Sequence, residues 1–332
     1  MESLLRLVDK ILVPHPKFEE AMHRIEQCFR FAEEAGEPSC LAVIGEARTG
    51  KTRVLNSCLL KHPGSRLDDG INMPIVYIKA PAKPTVKGMA ELLLEALKDP
   101  NPARGTEIER TRRLKTLMPK TGTRLLMIDE FQHFVDKGST AVMYLVADWL
   151  KILVDDVRCS LVIAGLPRCQ AVIDQNEQLA GRFLAPVNLS RFRWENVEQR
   201  ADFIGILESF HRKLYPFIGL PELHSDPMAF RFWCATGGLI GYLTKLLRRS
   251  ICNAVAQNSG RVTLTDFSVA HRECMWHELG SNLALRPFDP DFILEVTSDV
   301  VSRVHRIGSE ATPLASTRHI DRTKRSRGAA YA

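Results

Sequence analysis

Two glycines, a lysine and a threonine stand at fixed spacing in one segment, Gly45-Glu46-Ala47-Arg48-Thr49-Gly50-Lys51-Thr52. This is the full G-x-x-x-x-G-K-[ST] pattern, in which the backbone N–H groups wrap a phosphate and the following helix presents its positive end to the anion. Lysine in such a loop reaches the β- and γ-phosphates, and the threonine hydroxyl binds Mg²⁺. An apolar run precedes the segment and a helical pattern follows it. We therefore expect all of residues 45–52 to contact a nucleotide.

A pair of acids, Asp129 and Glu130, follows the apolar run Leu125–Ile128. The run predicts a buried strand, and ligands collect at the carboxyl ends of strands in open α/β sheets. Asp129 is suited to holding Mg²⁺ together with Thr52, and Glu130 to polarising an attacking water. Acid pairs also cap helices, so the pair alone is weak evidence for a nucleotide site. It becomes strong evidence because a phosphate loop lies about 80 residues earlier. Together the motifs predict a nucleoside triphosphatase with Lys51, Asp129 and Glu130 as catalytic residues.

Other nucleotide-binding classes fit the sequence less well. A GTPase would carry an Asn-Lys-x-Asp guanine reader, which the sequence lacks, and a small-molecule kinase would supply a pocket for its acceptor. One further strand, at 75–78, separates the phosphate loop from the acid pair, as expected of ATPases with an additional catalytic glutamate. We therefore expect ATP as substrate and Mg²⁺ as cofactor, although the preference for adenine comes from this class and not from a base-contacting motif.

The elements that must position these residues alternate along the chain. Short apolar strands alternating with amphipathic helices predict a parallel sheet covered on both faces. The predicted strands are 41–44, 74–78, 124–128, 160–164 and 186–189. After about Trp194 only helical patterns follow. The predicted fold class is α/β, with a parallel five-stranded sheet between helices and a C-terminal all-helical lid. The predicted domains are an N-terminal helical segment (1–38), the α/β core (39–195), the helical lid (196–282) and a C-terminal extension (283–332).

Composition excludes several classes of protein. The 332 residues are 45% hydrophobic and 25% charged, which is ordinary for a globular protein and unlike a collagen-like or largely disordered chain. No apolar run approaches the ~18 residues that a membrane helix needs, and the N-terminus lacks a secretory leader, so we expect a cytoplasmic protein without membrane contact. The net charge is +6. Part of this charge lies in a basic tail, whose cations are Arg318, Arg322, Lys324, Arg325 and Arg327. Such a tail can bind nucleic acid, bind an acidic partner or only increase solubility.

The phosphate loop, Asp129-Glu130 with Phe131-Gln132-His133, and Gly237–Tyr242 in the helical lid together resemble AAA+ ATPases. Within that superfamily the chain is similar, over about residues 10–280, to the TniB/TnsC transposition regulators, which are relatives of Orc/Cdc6-like and ExeA-like ATPases. The resemblance implies an ATP-dependent homo-oligomer, a ring or helical filament, on double-stranded DNA without sequence preference. It also implies that the protein connects a target-selector protein to a DDE-type transposase, with hydrolysis resetting the assembly.

The resemblance extends to single residues, with gaps. Arg182 lies where AAA+ proteins place an arginine finger that reaches the nucleotide of a neighbouring subunit; Arg191 and Arg193 are rival candidates, and Arg182 as an ordinary surface cation stays open. The polar sensor-1 residue is replaced by the apolar segment 164–166, and the sensor-2 arginine by Gly241. Tyr242 or Lys245 is the expected substitute contact with the nucleotide. These departures predict slow hydrolysis, and an arginine finger at Arg182 would make hydrolysis depend on assembly.

A basic loop, defined as residues 79–87, follows the second strand of the predicted sheet. In AAA+ assemblies that encircle DNA the corresponding loop lines the pore, so we expect phosphate contacts from Lys79, Lys83, Thr85 and Lys87. A solvated charged loop is the alternative. For the whole chain, the rival hypotheses are a signalling or secretion-type switch of the ExeA or STAND kind without DNA binding, and a non-enzymatic nucleotide-binding module.

Overall fold

The computed structural model describes residues 7–8, 10–11, 13–34, 38–68, 70–81, 84–275 and 285–308. The strands are β1 (Cys40–Ile44), β2 (Ser65–Leu67), β3 (Gly70–Asn72), β4 (Ile75–Lys79), β5 (Leu125–Asp129), β6 (Ser160–Gly165) and β7 (Val187–Asn188). The helices of the first half are α1 (Pro16–Glu34), α2 (Lys51–Lys61), α3 (Val86–Ala96), α4 (Glu107–Lys120), α5 (His133–Asp136) and α6 (Thr140–Val157). Those of the second half are α7 (Gln170–Ile173), α8 (Glu177–Ala180), α9 (Val197–Leu214), α10 (Asp226–Thr236), α11 (Ile240–Ala256), α12 (Leu264–Cys274) and α13 (Ser298–Arg306).

The central sheet has five parallel strands in the order β4-β5-β6-β1-β7. β1 pairs with β6 on one side and with β7 on the other, so the strand that leads into the phosphate loop is central. All parallel strands end at the same edge of the sheet, which brings the phosphate loop and the acid pair to one edge. The strands β2 and β3 form a separate antiparallel hairpin.

Both faces of the sheet are covered, and β1 shows why its sequence is continuously apolar. Cys40, Ala42 and Ile44 pack into a core with α3, α4 and α6. Leu41 and Val43, which point the opposite way, pack into a second core with α1 and α2. A strand that is buried on both faces needs apolar residues at every position. Helix α1 therefore packs directly on the sheet.

The helical lid contains α9 to α12 and has a core of its own, built around large aromatic side chains such as Phe210 and Trp233. The N-terminal residues Val8 and Ile11 and the C-terminal residue Val304 join this core. The described part of the chain contains no helix long and apolar enough to span a membrane.

The predicted fold class is confirmed: a five-stranded parallel sheet lies between helices, and a helical region follows it. The β2–β3 hairpin and α13 were not predicted. The predicted basic tail and Lys83 lie outside the described residues.

Candidate nucleotide-binding site

The phosphate loop joins the carboxyl end of β1 to the first turn of α2, as its sequence predicts. Its first glycine is required by a close approach: a Cβ atom at Gly45 would come within 2.0 Å of the Leu189 carbonyl oxygen. The Thr49 hydroxyl donates to the Glu46 carbonyl oxygen at 2.9 Å, which holds the turn. The N–H groups at the start of α2 therefore face the loop, as an anion site needs.

Lys51 lies inside this loop and is buried. Its ammonium donates to the carbonyl oxygens of Gly45 (2.8 Å) and Glu46 (2.6 Å). Burial lowers the pKa of the ammonium, and the nearby carboxylates of Glu130 and Asp129 oppose that shift. The lysine and the two acids thus form one electrostatic unit at the edge of the sheet.

The predicted magnesium ligands meet directly. The Thr52 hydroxyl donates to Oδ2 of Asp129 at 2.6 Å, although the two residues are 77 positions apart. The Tyr77 hydroxyl, at 3.2 Å, donates to the same oxygen. Burial, followed by the Asp129 carboxylate, raises the pKa of Tyr77, so the phenol stays protonated and remains a donor. A hydroxyl beside a buried carboxylate is a set of hard oxygen donors that suits Mg²⁺.

Glu130 stands next to this pair in an unusual backbone conformation, with φ at 56°. Its N–H group donates to Oδ1 of Asp129 at 2.9 Å, and its carbonyl accepts from the N–H of His133 at 3.0 Å. A non-glycine residue in the left-handed region costs about 1 kcal/mol or more and persists where its surroundings hold it. The two hydrogen bonds fix the turn that presents the Glu130 side chain beside the loop.

A cavity of about 340 Å³ adjoins the phosphate loop. Its walls come from the N-terminal segment, the loop and the helical lid: Ile11, Val13, His15, Phe18, Thr49, Gly50, Arg53, Ile206, Phe210, Ile240, Gly241, Thr244, Lys245 and Arg248. Burial, followed by the nearby Lys17, lowers the pKa of His15 to about 4, so its imidazole is neutral at neutral pH. A largely apolar cavity with a few polar groups, next to a phosphate site, has the chemistry that a nucleobase needs.

The residues predicted to replace the sensor-2 arginine lie on both sides of this region. Lys245 lines the cavity, and its ammonium donates to the Cys274 carbonyl at 2.6 Å. Tyr242 is buried behind the loop, where the Arg48 guanidinium lies 4.8 Å from the centre of its ring. Gly241 donates its N–H to the Arg48 carbonyl at 2.9 Å, and a Cβ there would lie 2.8 Å from the Cβ of Arg48. Tyr242 therefore contacts the loop and does not line the cavity.

Arg191, a rival candidate for the arginine finger, is buried and bonded within its own chain. Its Nε donates to the Glu46 carboxylate at 2.9 Å. Its Nη atoms donate to the carbonyl oxygens of Val304 (3.2 Å) and Ile307 (3.0 Å). In this structure the Arg191 guanidinium is therefore held by groups of its own chain.

Arg182 lies at the amino end of β1, because the Cys40 N–H donates to its carbonyl oxygen at 3.0 Å. Its guanidinium forms a half-buried ion pair with Asp155 at 2.5 Å. The five residues of β1 place it about 16 Å along the strand from its own phosphate loop, at about 3.3 Å per residue. Arg182 therefore cannot complete the site of its own chain. Arg193, the second rival, is exposed.

The basic loop begins at the same edge of the sheet as the acid pair. The Ala80 N–H donates to the Asp129 carbonyl at 2.8 Å, and the Ala80 carbonyl lies 3.1 Å from Nδ1 of His133. Lys79 and Lys87 are exposed. Thr85 is also exposed, but its hydroxyl caps α3 by accepting from the Gly88 N–H at 3.0 Å.

Sequence reasoning missed the cavity residues His15 and Phe18 and the Arg191–Glu46 pair. The only signal for the first two was the Pro14-His15-Pro16 break in the N-terminal helical pattern, which places a short extended segment there. Nothing in the sequence pairs Glu46 with a residue 145 positions later.

Solved structures share this architecture. The Aeropyrum pernix ORC2 protein, solved as ADPNP and ADP complexes, is 12% identical with a TM-score of 0.60; the match covers 82% of this chain and 72% of that one. Cdc6p from Pyrobaculum aerophilum is 16% identical with a TM-score of 0.60, over 82% of this chain and 71% of that one. The Aeropyrum pernix ORC1 protein in complex with DNA is 16% identical with a TM-score of 0.56, over 79% and 66%. No curated protein sequence matches the chain.

The parallel sheet, the phosphate loop with its acid pair and the helical lid define the fold of an AAA+ P-loop ATPase, the class to which the Orc and Cdc6 proteins belong. The family described as "TniB: Bacterial TniB protein" matches residues 4–195, which is more than half of the chain. The chain belongs to the TniB family.

Proposed function

We propose that this protein is an ATP hydrolase that assembles on double-stranded DNA when ATP is bound and that regulates transposition by linking target-site selection to a transposase. The observation that carries the proposal is the meeting of Lys51, Thr52, Asp129 and Glu130 at one edge of the sheet, in a chain of the TniB family.

The residues of the site divide the work of hydrolysis. The phosphate loop binds the triphosphate through backbone N–H groups, and Lys51 neutralises charge on the β- and γ-phosphates. Thr52 and Asp129 would hold Mg²⁺, which would neutralise phosphate charge. The Glu130 carboxylate accepts a hydrogen bond from a water molecule and orients that water towards the γ-phosphate. The base occupies the cavity beside the loop, where the neutral His15 offers hydrogen bonds without a charge.

Arg182 is the residue that would make hydrolysis depend on assembly. Because this residue lies at the opposite edge of the sheet from its own phosphate loop, it serves the nucleotide of a neighbouring copy. An arginine supplied in trans stabilises charge that develops in the transition state. Hydrolysis is then slow in single subunits and depends on a ring or filament.

The contact with DNA is assigned to the basic loop. Two kinds of phosphate-binding group lie in this loop: the ammonium groups of Lys79, Lys83 and Lys87, and the hydroxyl of Thr85. Contacts of both kinds with the DNA backbone carry no base specificity. The Ala80 N–H donates to the Asp129 carbonyl, and the Ala80 carbonyl lies against Nδ1 of the His133 ring. The basic loop and the acid pair therefore lie at the same edge of the sheet. The likeness to an ORC1 protein solved in complex with DNA shows the fold, and it supports this assignment by analogy.

The TniB family supports the wider role, in which the assembly on DNA is read by a DDE-type transposase after a target-selector protein has chosen the site. The second candidate is an ExeA-like signalling switch, in which the same nucleotide site drives protein assembly without DNA. The helical lid packed against the nucleotide site would serve either role, and the basic loop favours the first.

The hydrolytic part of the proposal is tested with Glu130→Gln, which keeps the size of the side chain and removes the carboxylate. We expect multiple-turnover hydrolysis in the presence of DNA to fall by a factor on the order of 10² or more, while ATP binding is kept. A parent protein that turns over no faster than this variant would be a nucleotide-binding module and not an enzyme.

The DNA part is tested by fluorescence anisotropy with a long duplex, with ATP or ADP, across a salt series. We expect binding with ATP that weakens as salt rises, and a Lys79→Ala, Lys87→Ala double variant whose log–log salt slope is smaller by about 0.9 per lost contact. Lys61→Ala is a matched control, since Lys61 is exposed at the end of α2, at the opposite edge of the sheet. Absent or salt-insensitive binding in both nucleotide states would favour the signalling switch.

A further inference from the structure

The side chain of Gln132 bridges two strand ends beside the acid pair. It is 5% exposed. Its Oε1 atom accepts from the Leu166 N–H at 3.1 Å, just past the end of β6. Its Nε2 atom donates to Oε2 of Glu130. The amide thus joins the end of β6 to the carboxylate that follows β5.

The orientation of this amide is fixed by its partners. A backbone N–H can pair only with the oxygen of the amide, so the Leu166 contact directs the NH₂ group towards Glu130. One of the two N–H groups donates to the Glu130 carboxylate. The second has no acceptor among the described residues and remains for an oxygen that approaches Glu130.

The space that Gln132 occupies exists because of Gly165. A Cβ atom built on Gly165 would lie 2.9 Å from Oε1 of Gln132. At this strand end, residues 164–166 offer no polar side chain of their own. The polar group beside Glu130 is therefore supplied by the neighbouring strand, across the position that the glycine leaves open.

The backbone around Gln132 is also held in place. The Phe131 N–H donates to the Ala164 carbonyl at 3.0 Å, which ties the turn after β5 to β6. With Glu130 in the left-handed region, the turn points the Glu130 and Gln132 side chains at each other, two residues apart. Strained backbone of this kind concentrates at functional sites.

We propose that Gln132 is a positioning residue for hydrolysis: its amide fixes the Glu130 carboxylate and offers its second N–H to the attacking water or to a γ-phosphate oxygen. The inference rests on the proposed hydrolytic function. It assigns to Gln132, in the turn after β5, the polar role that residues 164–166 at the end of β6 lack.

Two substitutions separate the donor from the rest of the side chain. Gln132→Ala removes both contacts, whereas Gln132→Glu keeps the shape and an acceptor for Leu166 but replaces the donor with a second carboxylate. We expect kcat to fall by a factor on the order of 10–10² in both variants, with KM for ATP within about twofold of the parent value. Thermal unfolding and binding of a fluorescent ATP analogue show that each variant folds and binds nucleotide.

Gln132→Glu has a second signature that a structural role would not produce. Two neighbouring carboxylates raise the pKa of one of them. The acid limb of the kcat profile should therefore move to higher pH in Gln132→Glu, and by a smaller amount in Gln132→Ala, which removes the N–H donor to the carboxylate without adding a second charge.

A rescue variant supplies a side-chain amide from position 165, at the end of β6, in place of the Gln132 amide. Asparagine at position 165 projects towards the space that Gln132 vacates and also meets Cβ and Sγ of Cys169 at 3.2 Å. Once Cys169 shifts by a few tenths of an ångström, Gln132→Ala with Gly165→Asn should recover part of the lost kcat. The single variant Gly165→Asn is the control, because in the presence of Gln132 the new side chain meets its amide and should lower kcat.

The outcomes distinguish this inference from the function on which it rests. If the parent hydrolyses ATP and Glu130→Gln does not, but both Gln132 variants keep kcat within about twofold, the inference fails and the proposed function stands. If the parent shows no turnover above Glu130→Gln, both fail. A KM increase with unchanged kcat would also overturn the positioning role, because it would place Gln132 in nucleotide binding.

Discussion

Arg191 connects the phosphate loop to the end of helix α13. Its guanidinium is 6% exposed and pairs with Glu46 in the loop, while it also donates to the carbonyl oxygens of Val304 and Ile307 at the end of α13. A buried arginine that satisfies carbonyl groups and one carboxylate fixes the geometry of all of them. The position of the loop therefore depends on residues outside the α/β core.

Arg191→Ala leaves the Glu46 carboxylate and two carbonyl groups without this partner. We expect the free energy of unfolding to fall by about 2–3 kcal/mol, the lower end of the cost of breaking a buried pair, since Glu46 is 35% exposed. Urea unfolding followed by circular dichroism measures the change. Arg193→Ala is the matched control: Arg193 is exposed two positions away, and its replacement should change stability by less than about 0.5 kcal/mol. Equal effects of the two variants would contradict the role of the pair.

Single residues also show what the sequence can and cannot predict. Residues 45–52 are contiguous and form a recognisable motif, so the sequence alone was enough to predict the phosphate loop. Asp129 and Thr52 meet because both follow parallel strands, and the strand pattern indicated this. The Arg191–Glu46 pair depends on how the segment after β7 packs under the helical lid, and no local periodicity encodes that contact.

At the scale of elements, the predictable strands and helices are those whose residues are buried in a regular pattern. Helix α3 (Val86–Ala96) has such a pattern, with Thr85 as its cap and Met89, Ala90 and Leu93 buried. The β2–β3 hairpin was missed because its residues are almost all exposed and carry no apolar alternation. Helix α13 was not predicted, although Val300, Val301 and Val304 lie at helical spacing against the lid core and Thr297 caps the helix.

Helix α12 gives the helical lid a dependence on pH. His271 on this helix is 5% exposed and lies against Phe288. Burial, its largest influence, lowers the pKa of His271 from an ordinary value of 6.5 to about 4, and Arg272 acts in the same direction; a hydrogen bond with Ala235 and the Asp289 carboxylate oppose this shift. Between pH 4 and 6.5 the unfolded chain therefore binds a proton that the folded lid excludes.

The stability that the neutral His271 contributes is present above pH 6.5 and is lost as the pH falls towards 4. From pH 7 to pH 5 we expect this residue to account for about 1–2 kcal/mol of lost stability. Urea unfolding of the parent and of His271→Gln at both pH values should show a smaller pH effect in the variant, with the remainder assigned partly to His15. The exposed His23 supplies the control variant, His23→Gln. An unchanged pH effect in His271→Gln would contradict the assignment.

At the scale of the whole molecule, the phosphate loop is held from several directions. The α/β core supplies β1 and α2, and the lid supplies Tyr242, on whose ring Arg48 lies. The C-terminal segment reaches the same place, because a Cβ at Gly308 would lie 3.0 Å from the Tyr242 ring. The phosphate loop, the lid and the residues just after α13 are thus joined by direct contacts.

Arg182 is the residue for which the chain alone is insufficient. In its own subunit it pairs with Asp155, at the edge of the sheet opposite to the phosphate loop. In the proposed assembly a head-to-tail neighbour would bring this edge to a nucleotide, and heterologous contacts of that kind generate rings or helical filaments. Catalysis across the interface can be tested by mixing two inactive variants that fail for different reasons.

Arg182→Ala keeps an intact phosphate loop, and Lys51→Ala keeps an intact arginine. If they mix at random in equal amounts, about one interface in four combines both working parts, so we expect up to about a quarter of the parent ATP turnover to return. Steady-state phosphate release with DNA present measures the recovery. The control mixture pairs Arg182→Ala with the Lys51→Ala, Arg182→Ala double variant, which has no arginine at this position in any subunit and should stay inactive. Recovery in neither mixture, at any ratio and with co-assembly verified by size, would show that Arg182 does not act on a neighbouring nucleotide.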